Sequence, residues 1–135
     1  MPAPLGKSPT RKMPDIQVFG TAESQATRSA IRFFRERRIV ATFVDITKRP
    51  MAPAELRRFL ERLGARALLD ETSRPYREGG LVHLRMDDRE VAERLLADQR
   101  LLRLPLVRFG NEVTAGKAET AWQAWLKASP RTASR

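Results

Sequence analysis

The chain has no cysteine. Disulfides, thiolate metal ligands and thiol redox catalysis are excluded outright, while the compartment stays open, because oxidising and reducing spaces both tolerate a cysteine-free chain. Histidine occurs once, as His83. With Asp87 and Asp88 nearby in a polar stretch it reads as a solvated side chain, and no Ser-His-Asp set, metal-ligand spacing or Gly-rich phosphate loop is visible. Apolar runs of the roughly 18–20 residues that cross a bilayer are absent. Met1 to Pro14 carries Lys7, Arg11 and Lys12 but no apolar stretch of the roughly 7–15 residues a secretory signal requires. The expectation is a cytoplasmic protein with no membrane span.

What is present suits one domain. The length of 135 residues, with 41% hydrophobic and 31% charged residues, can bury a core two or three layers deep. A formal charge of +10 invites a nucleic-acid reading, but six of the cations lie near the ends: Lys7, Arg11, Lys12, Lys127, Arg131 and Arg135. The body from Asp15 to Leu126 is left at only +4. Non-specific nucleic-acid binding would therefore rest mainly on the tails and weaken steeply with salt. Of the 26 cations 21 are arginine, an excess that suits phosphate or carboxylate forks but that codon bias produces equally well.

Met1–Pro14 and Ser129–Arg135, rich in polar residues and proline without periodicity, read as flexible tails (1–14 and 129–135) around a domain at 15–128. Asp15 to Gly20 alternates apolar residues and ends on glycine, which predicts a strand. Ser24 then has the chemistry of an N-cap, and Ala26, Ala30, Ile31, Phe33 and Phe34 form an apolar helical face. Arg28, Arg32, Arg35 and Arg38 recur at spacings of three and four, a basic stripe on that helix, most simply a solvated face. Ile39 to Ile46 is β-branched and strand-like, completing a βαβ unit with parallel strands. Pro53 opens a second helix that Gly64 ends. A short turn over Ala65–Leu69, a loop over Asp70–Gly80 and a helix capped by Asp87 or Asp88 follow. Leu104–Phe109 and Glu112–Thr114 flank Gly110-Asn111 as a hairpin, and Lys117–Lys127 forms the last helix. Trp122 and Trp125 on it read as packing against the sheet or as an interface.

Three blocks in this order resemble the arsenate reductase (ArsC and Spx) family. The first is Val18-Phe19-Gly20 to Ser24-Gln-Ala-Thr27-Arg28, similar to the family's strand, loop and Cys-x-x-Ser/Cys-Arg helix start. The second, Leu68-Leu69-Asp70 through Tyr76 to Gly80-Leu81, is similar to its Leu-Leu-Arg segment with the following aromatic. The third, Leu101-Leu-Arg103-Leu104-Pro105 to Gly116, is similar to its Arg-Pro strand, turn and glycine before the last helix. The resemblance spans about Ile16 to Leu126. It implies an α/β, thioredoxin-like (glutaredoxin-like) fold: a βαβ unit, a helical insertion and then ββα, around a mixed four-stranded sheet with Pro105 as the cis proline.

The family's chemistry needs a thiolate at a helix N-terminus and arginines around an oxyanion. By the resemblance the nucleophile position is Ser24 and its partner position Thr27. The arginine of the Leu-Leu-Arg segment falls on Asp70, and the one before the proline on Leu104, with Arg103 one place off. Only Arg28 and Lys117 keep their charge type. Thiol-dependent arsenate reduction is not expected. Two further readings stay open for the site of Ser24, Thr27, Arg28, Arg103, Pro105 and Lys117. One is a redox-inactive binding or regulatory module with a protein partner, the transcription machinery by resemblance to Spx, in which Ser24 is only a cap and Thr27 and Arg28 a solvated first turn. The other is an enzyme that holds glutathione or a small oxyanion at Ser24. No metal or other cofactor is expected.

Overall fold

The computed structural model describes residues 16–128, so both proposed tails lie outside the described residues. The first strand, β1 (Ile16–Gly20), leads into helix α1 (Gln25–Glu36) and strand β2 (Ala41–Asp45). Helices α2 (Pro53–Leu63), α3 (Ala65–Leu68), α4 (Arg74–Glu78) and α5 (Asp88–Ala97) follow, with single 3-10 turns at Leu81–His83 and Gln99–Leu101. The hairpin β3 (Leu106–Phe109) and β4 (Glu112–Ala115) then precedes α6 (Glu119–Ala128). The sheet order is β2-β1-β3-β4. β1 pairs parallel with β2 and antiparallel with β3, and β3 pairs antiparallel with β4, the mixed four-stranded sheet expected.

Alternation along the strands sends side chains to two cores. Ile16, Val18 and Val107 meet Ala30, Phe33 and Phe34 of α1 and Trp122 and Trp125 of α6 on one face. Phe19, Leu106 and Val113 meet Leu56, Phe59, Leu68, Val91 and Leu95 from α2, α3 and α5 on the other. Both tryptophans are therefore core residues, at 1% and 9% exposure. Each fully buried Val, Leu, Ile or Phe contributes about 1.5–3 kcal/mol. The exposed ion pairs Arg66–Asp88, Arg74–Glu78 and Arg89–Glu93, at 3.5–3.7 Å, contribute about 0–1 kcal/mol each, so apolar burial decides the fold.

Caps fix most boundaries. Ser24 Oγ accepts the Thr27 N–H at 3.1 Å, and Asp87 and Glu90 exchange N–H to carboxylate bonds of 2.8 and 2.9 Å at the start of α5, a capping box. Gly64, at φ +86°, ends α2 where an L side chain would be strained.

Four expectations need correction. Asp70–Gly80 is not all loop: Ser73 accepts the Tyr76 N–H and caps the one-turn helix α4, with Pro75 in its first turn. A five-residue helix offers no periodicity to read, and the Gly79-Gly80 pair dominated the segment. The basic stripe loses Arg38, since α1 ends at Glu36 and Arg38 turns the chain at φ +59°. Thr27 is not part of a solvated turn, because its side chain is fully buried. The last helix also begins at Glu119, two residues later than expected.

Candidate functional site

The loop Thr21–Ser24 joins β1 to α1 as a closed turn. The Ser24 N–H donates to the Thr21 carbonyl at 3.2 Å and to Thr21 Oγ1 at 3.1 Å. Arg28 reaches back over the turn, its guanidinium donating to the Ala22 carbonyl at 2.8 Å. The half-buried Ser24 hydroxyl thus sits where the first N–H groups of a helix are unpaired and the helix dipole is positive. Its bond to Thr27 N–H is the cap itself, which contributes about 1 kcal/mol.

Thr27 points the other way. Its Oγ1 is buried with no hydrogen-bond partner, pressed against Gly20, where an added Cβ would lie 2.3 Å from it. Gly20 is thus required by close approach of helix to strand. A buried hydroxyl without a partner costs about 1–3 kcal/mol, whereas its methyl packs without penalty. Thr27→Val keeps the shape and removes the unpaired oxygen. It is expected to stabilise the protein by about 1 kcal/mol, read as a higher denaturation midpoint; a fall of that size would mean that Oγ1 is paired in solution.

The second half of the site comes from the segment before β3. Leu69 and Leu102 form an isolated antiparallel bridge, with Asp70 N–H to Leu101 carbonyl at 2.8 Å and Arg103 N–H to Leu68 carbonyl at 2.7 Å. The Leu104–Pro105 peptide bond is cis, and the Pro105 carbonyl accepts the Gly116 N–H at 2.9 Å. The Arg103 stem crosses Gly116, with Cδ 2.9 Å from where a Cβ would stand. Arg103, Pro105, Gly116 and Lys117 are therefore neighbours. Asp70, half-buried, spends its carboxylate on the Thr72 N–H at 2.9 Å and hydroxyl at 2.5 Å, shaping its turn.

A cleft of about 630 Å³ opens beside the loop, within the size range of small-molecule sites. Thr21 and Glu23 line one side, Ile46, Thr47 and Pro50 another, and Leu96 to Arg100 with Leu104 complete it. Leu104 ties it to the cis-proline segment. Ser24, Thr27, Arg28, Arg103, Pro105 and Lys117 do not line it. Gln99 holds the wall together, accepting from Met51 N–H at 2.9 Å and donating to the Met51 carbonyl at 2.8 Å. Arg100 forks onto Asp98 at 2.9 and 2.8 Å. That bond, ahead of the opposing effect of burial, holds the Asp98 carboxyl below the ordinary carboxylate range.

With Arg100 committed to Asp98, the uncompensated charge on the cleft wall is Glu23, which disfavours an oxyanion. Sequence reasoning did not single out Glu23, Asp98, Gln99 or Arg100; Asp98-Gln-Arg100 after a helix looks like an ordinary exit turn. His83 is exposed on its 3-10 turn and not on the cleft, so no imidazole stands ready to activate a hydroxyl there. No group of three or more His, Cys, Asp or Glu that could hold a metal occurs among the described residues.

A parallel βαβ unit joined to an antiparallel ββα unit, with a cis proline before β3, defines a thioredoxin-like protein. The ArsC family model matches residues 19–125, and the chain belongs to the ArsC family. No curated protein matches its sequence. Among solved structures, a YffB protein superposes with TM-score 0.74 at 19% identity, covering 82% of this chain and 98% of its own. An arsenate reductase from Vibrio cholerae superposes with TM-score 0.70 at 15% identity, with 83% and 98% covered. An arsenate reductase (ArsC) related protein from Brucella melitensis gives TM-score 0.63 at 19% identity, with 84% and 95% covered. At these identities the likeness is one of fold. No helix among the described residues is long and apolar enough to cross a membrane.

Proposed function

We propose that this ArsC-family chain is a redox-inactive binding or regulatory module whose partner is a protein. The observation that carries this reading is the state of Ser24: a hydroxyl at the family's nucleophile position, closed into a cap by the Thr27 N–H at 3.1 Å. A hydroxyl cannot cycle between thiol and disulfide, and with no cysteine in the chain a resolving thiol is missing too. The surroundings support the same reading, since Asp70 occupies the position of an oxyanion-binding arginine and its carboxylate is engaged with Thr72. A cytoplasmic setting and a partner in the transcription machinery, by resemblance to Spx, belong to this proposal.

One observation favours an enzyme instead. Ser24 and Arg28 stand at the positive end of a twelve-residue helix, beside a cleft large enough for a small molecule. That geometry could hold an anion or the thiolate of glutathione. Two-dimensional NMR titration separates the two. With glutathione, and then with arsenate or phosphate, the module reading expects no saturable shift at millimolar ligand in the amides of Glu23 to Arg28 or of those flanking Pro105. Saturable shifts there would replace it with the enzymatic reading.

A further inference from the structure

The sheet has two edge strands, β2 and β4, and β2 is the one with exposed large apolar side chains on or beside it. β2 hydrogen-bonds only to β1. The Ile46 N–H reaches back to the Gly20 carbonyl at 2.9 Å, so by strand alternation Thr42 and Val44 also point their N–H groups at β1. Ala41, Phe43 and Asp45 consequently direct theirs outward; the Asp45 carbonyl is taken by the Lys48 and Arg49 N–H groups at 3.0 and 2.9 Å, which leaves three N–H groups and the Ala41 and Phe43 carbonyls along the edge for a further strand. Beside that row stand two of the large apolar side chains left exposed by the fold, Val40 at 88% and Phe43 at 38%.

Charge identifies what this edge accepts. Arg38 is exposed before the strand, and Lys48 and Arg49 are exposed after it. From Arg35 to Arg49 there are five cations and two acids. One of the acids, Asp45, spends a carboxylate oxygen on the Thr47 N–H at 3.0 Å and hydroxyl at 2.6 Å. A second copy of β2 paired antiparallel would bring Arg38 opposite Lys48 and Arg49, like charge against like. The chain's own residues 1–14 contain three cations, no acid and four prolines, which suits neither the charge nor the ladder. We propose that the β2 edge is a docking strand for a partner's extended segment, apolar or β-branched in the middle and acidic at its ends, added to the sheet as a further strand. The proposal rests on the binding-module reading and supplies its surface, but needs nothing from Ser24.

The test is NMR titration of the full chain with a short synthetic peptide of alternating valine and threonine flanked by paired glutamates, against the same core flanked by lysines. Saturable shifts are expected at the Ala41, Phe43 and Asp45 amides. The acidic peptide should bind about tenfold or more tightly than the basic one, with the difference shrinking at high salt. Phe43→Pro removes an outward N–H without touching the β1 ladder and should weaken binding about tenfold or more. The double variant Lys48→Glu, Arg49→Glu leaves the strand intact and should reverse the peptide preference. Equal binding of both peptides, or shifts confined to other elements, would overturn the proposal. So would shifts at Ala41, Phe43 and Asp45 on raising protein concentration alone, which would assign the edge to a second copy. Failure here with no ligand at Ser24 removes only this surface; glutathione binding at Ser24 removes the module reading and leaves the edge result standing.

Discussion

Trp122→Ala is expected to remove about 3–5 kcal/mol of stability, a large share of the roughly 5–15 kcal/mol a domain possesses. Trp122 is 1% exposed and stands where three elements meet. Its ring lies 5.3 Å from Phe33 and 5.4 Å from Phe34 of α1, and its indole N–H donates to Thr114 Oγ1 of β4 at 2.9 Å. Truncation leaves a cavity against two phenylalanines, themselves edge-on at 5.1 Å, and removes the partner of a threonine hydroxyl. The helices α1 and α6 cannot both close on that space without pulling α1 away from β1, where Gly20 and Thr27 are already in tight contact. Urea denaturation followed by circular dichroism measures the loss, with Trp125→Ala as the comparison. Trp125 stacks on Phe109 at 5.5 Å but reaches the surface, so its truncation should cost less. A loss below about 1 kcal/mol for Trp122→Ala would make α6 a peripheral element.

The parts of this architecture that sequence exposes are those with local causes. Ser24 as a cap, Gly64 as a stop and Gly110-Asn111 as a hairpin turn each act within a few residues, and each stands where expected. The cis bond at Pro105 was legible only through family resemblance, because proline alone does not fix its isomer. What remained hidden is non-local. Thr27 is buried because β1 offers a glycine beneath it, a contact between two positions whose neighbours carry no signal of it. The cleft takes its walls from the β1–α1 loop, the segment after β2, the end of α5 and Leu104. Its cross-brace, Gln99 on Met51, joins residues 48 apart. A glutamine at a helix exit is indistinguishable in sequence from any solvated one. The open edge of β2 was hidden for the same reason, since a β-branched run gives a strand but not its place in the sheet.

Ser24→Cys separates the two losses that the proposed role entails, of a nucleophile and of the surroundings an oxyanion needs. A thiolate in place of the Ser24 hydroxyl would accept the Thr27 N–H that now lies 3.1 Å from the oxygen, at the positive end of α1. Helix N-termini bring cysteine from its ordinary pKa of about 8.5 into a range of about 3.5–7.5. The pH midpoint of iodoacetamide alkylation is expected to fall by about 1–2 units relative to a control cysteine at exposed Gln123. At pH 6.5 the gain in thiolate fraction exceeds the loss in intrinsic nucleophilicity, leaving alkylation about fivefold faster. Arsenate turnover with glutathione should nevertheless stay at background. By the family resemblance Asp70 puts a carboxylate where an arginine would hold the oxyanion, Arg100 is committed to Asp98, and Glu23 leaves the cleft wall negative. A reactive but non-reducing Ser24→Cys protein places the loss of function in the surroundings as well as the nucleophile, as a module freed from catalysis would have it. Turnover by that single variant would mean that only one atom separates this chain from an oxyanion-handling enzyme, and the proposed role would have to be given up.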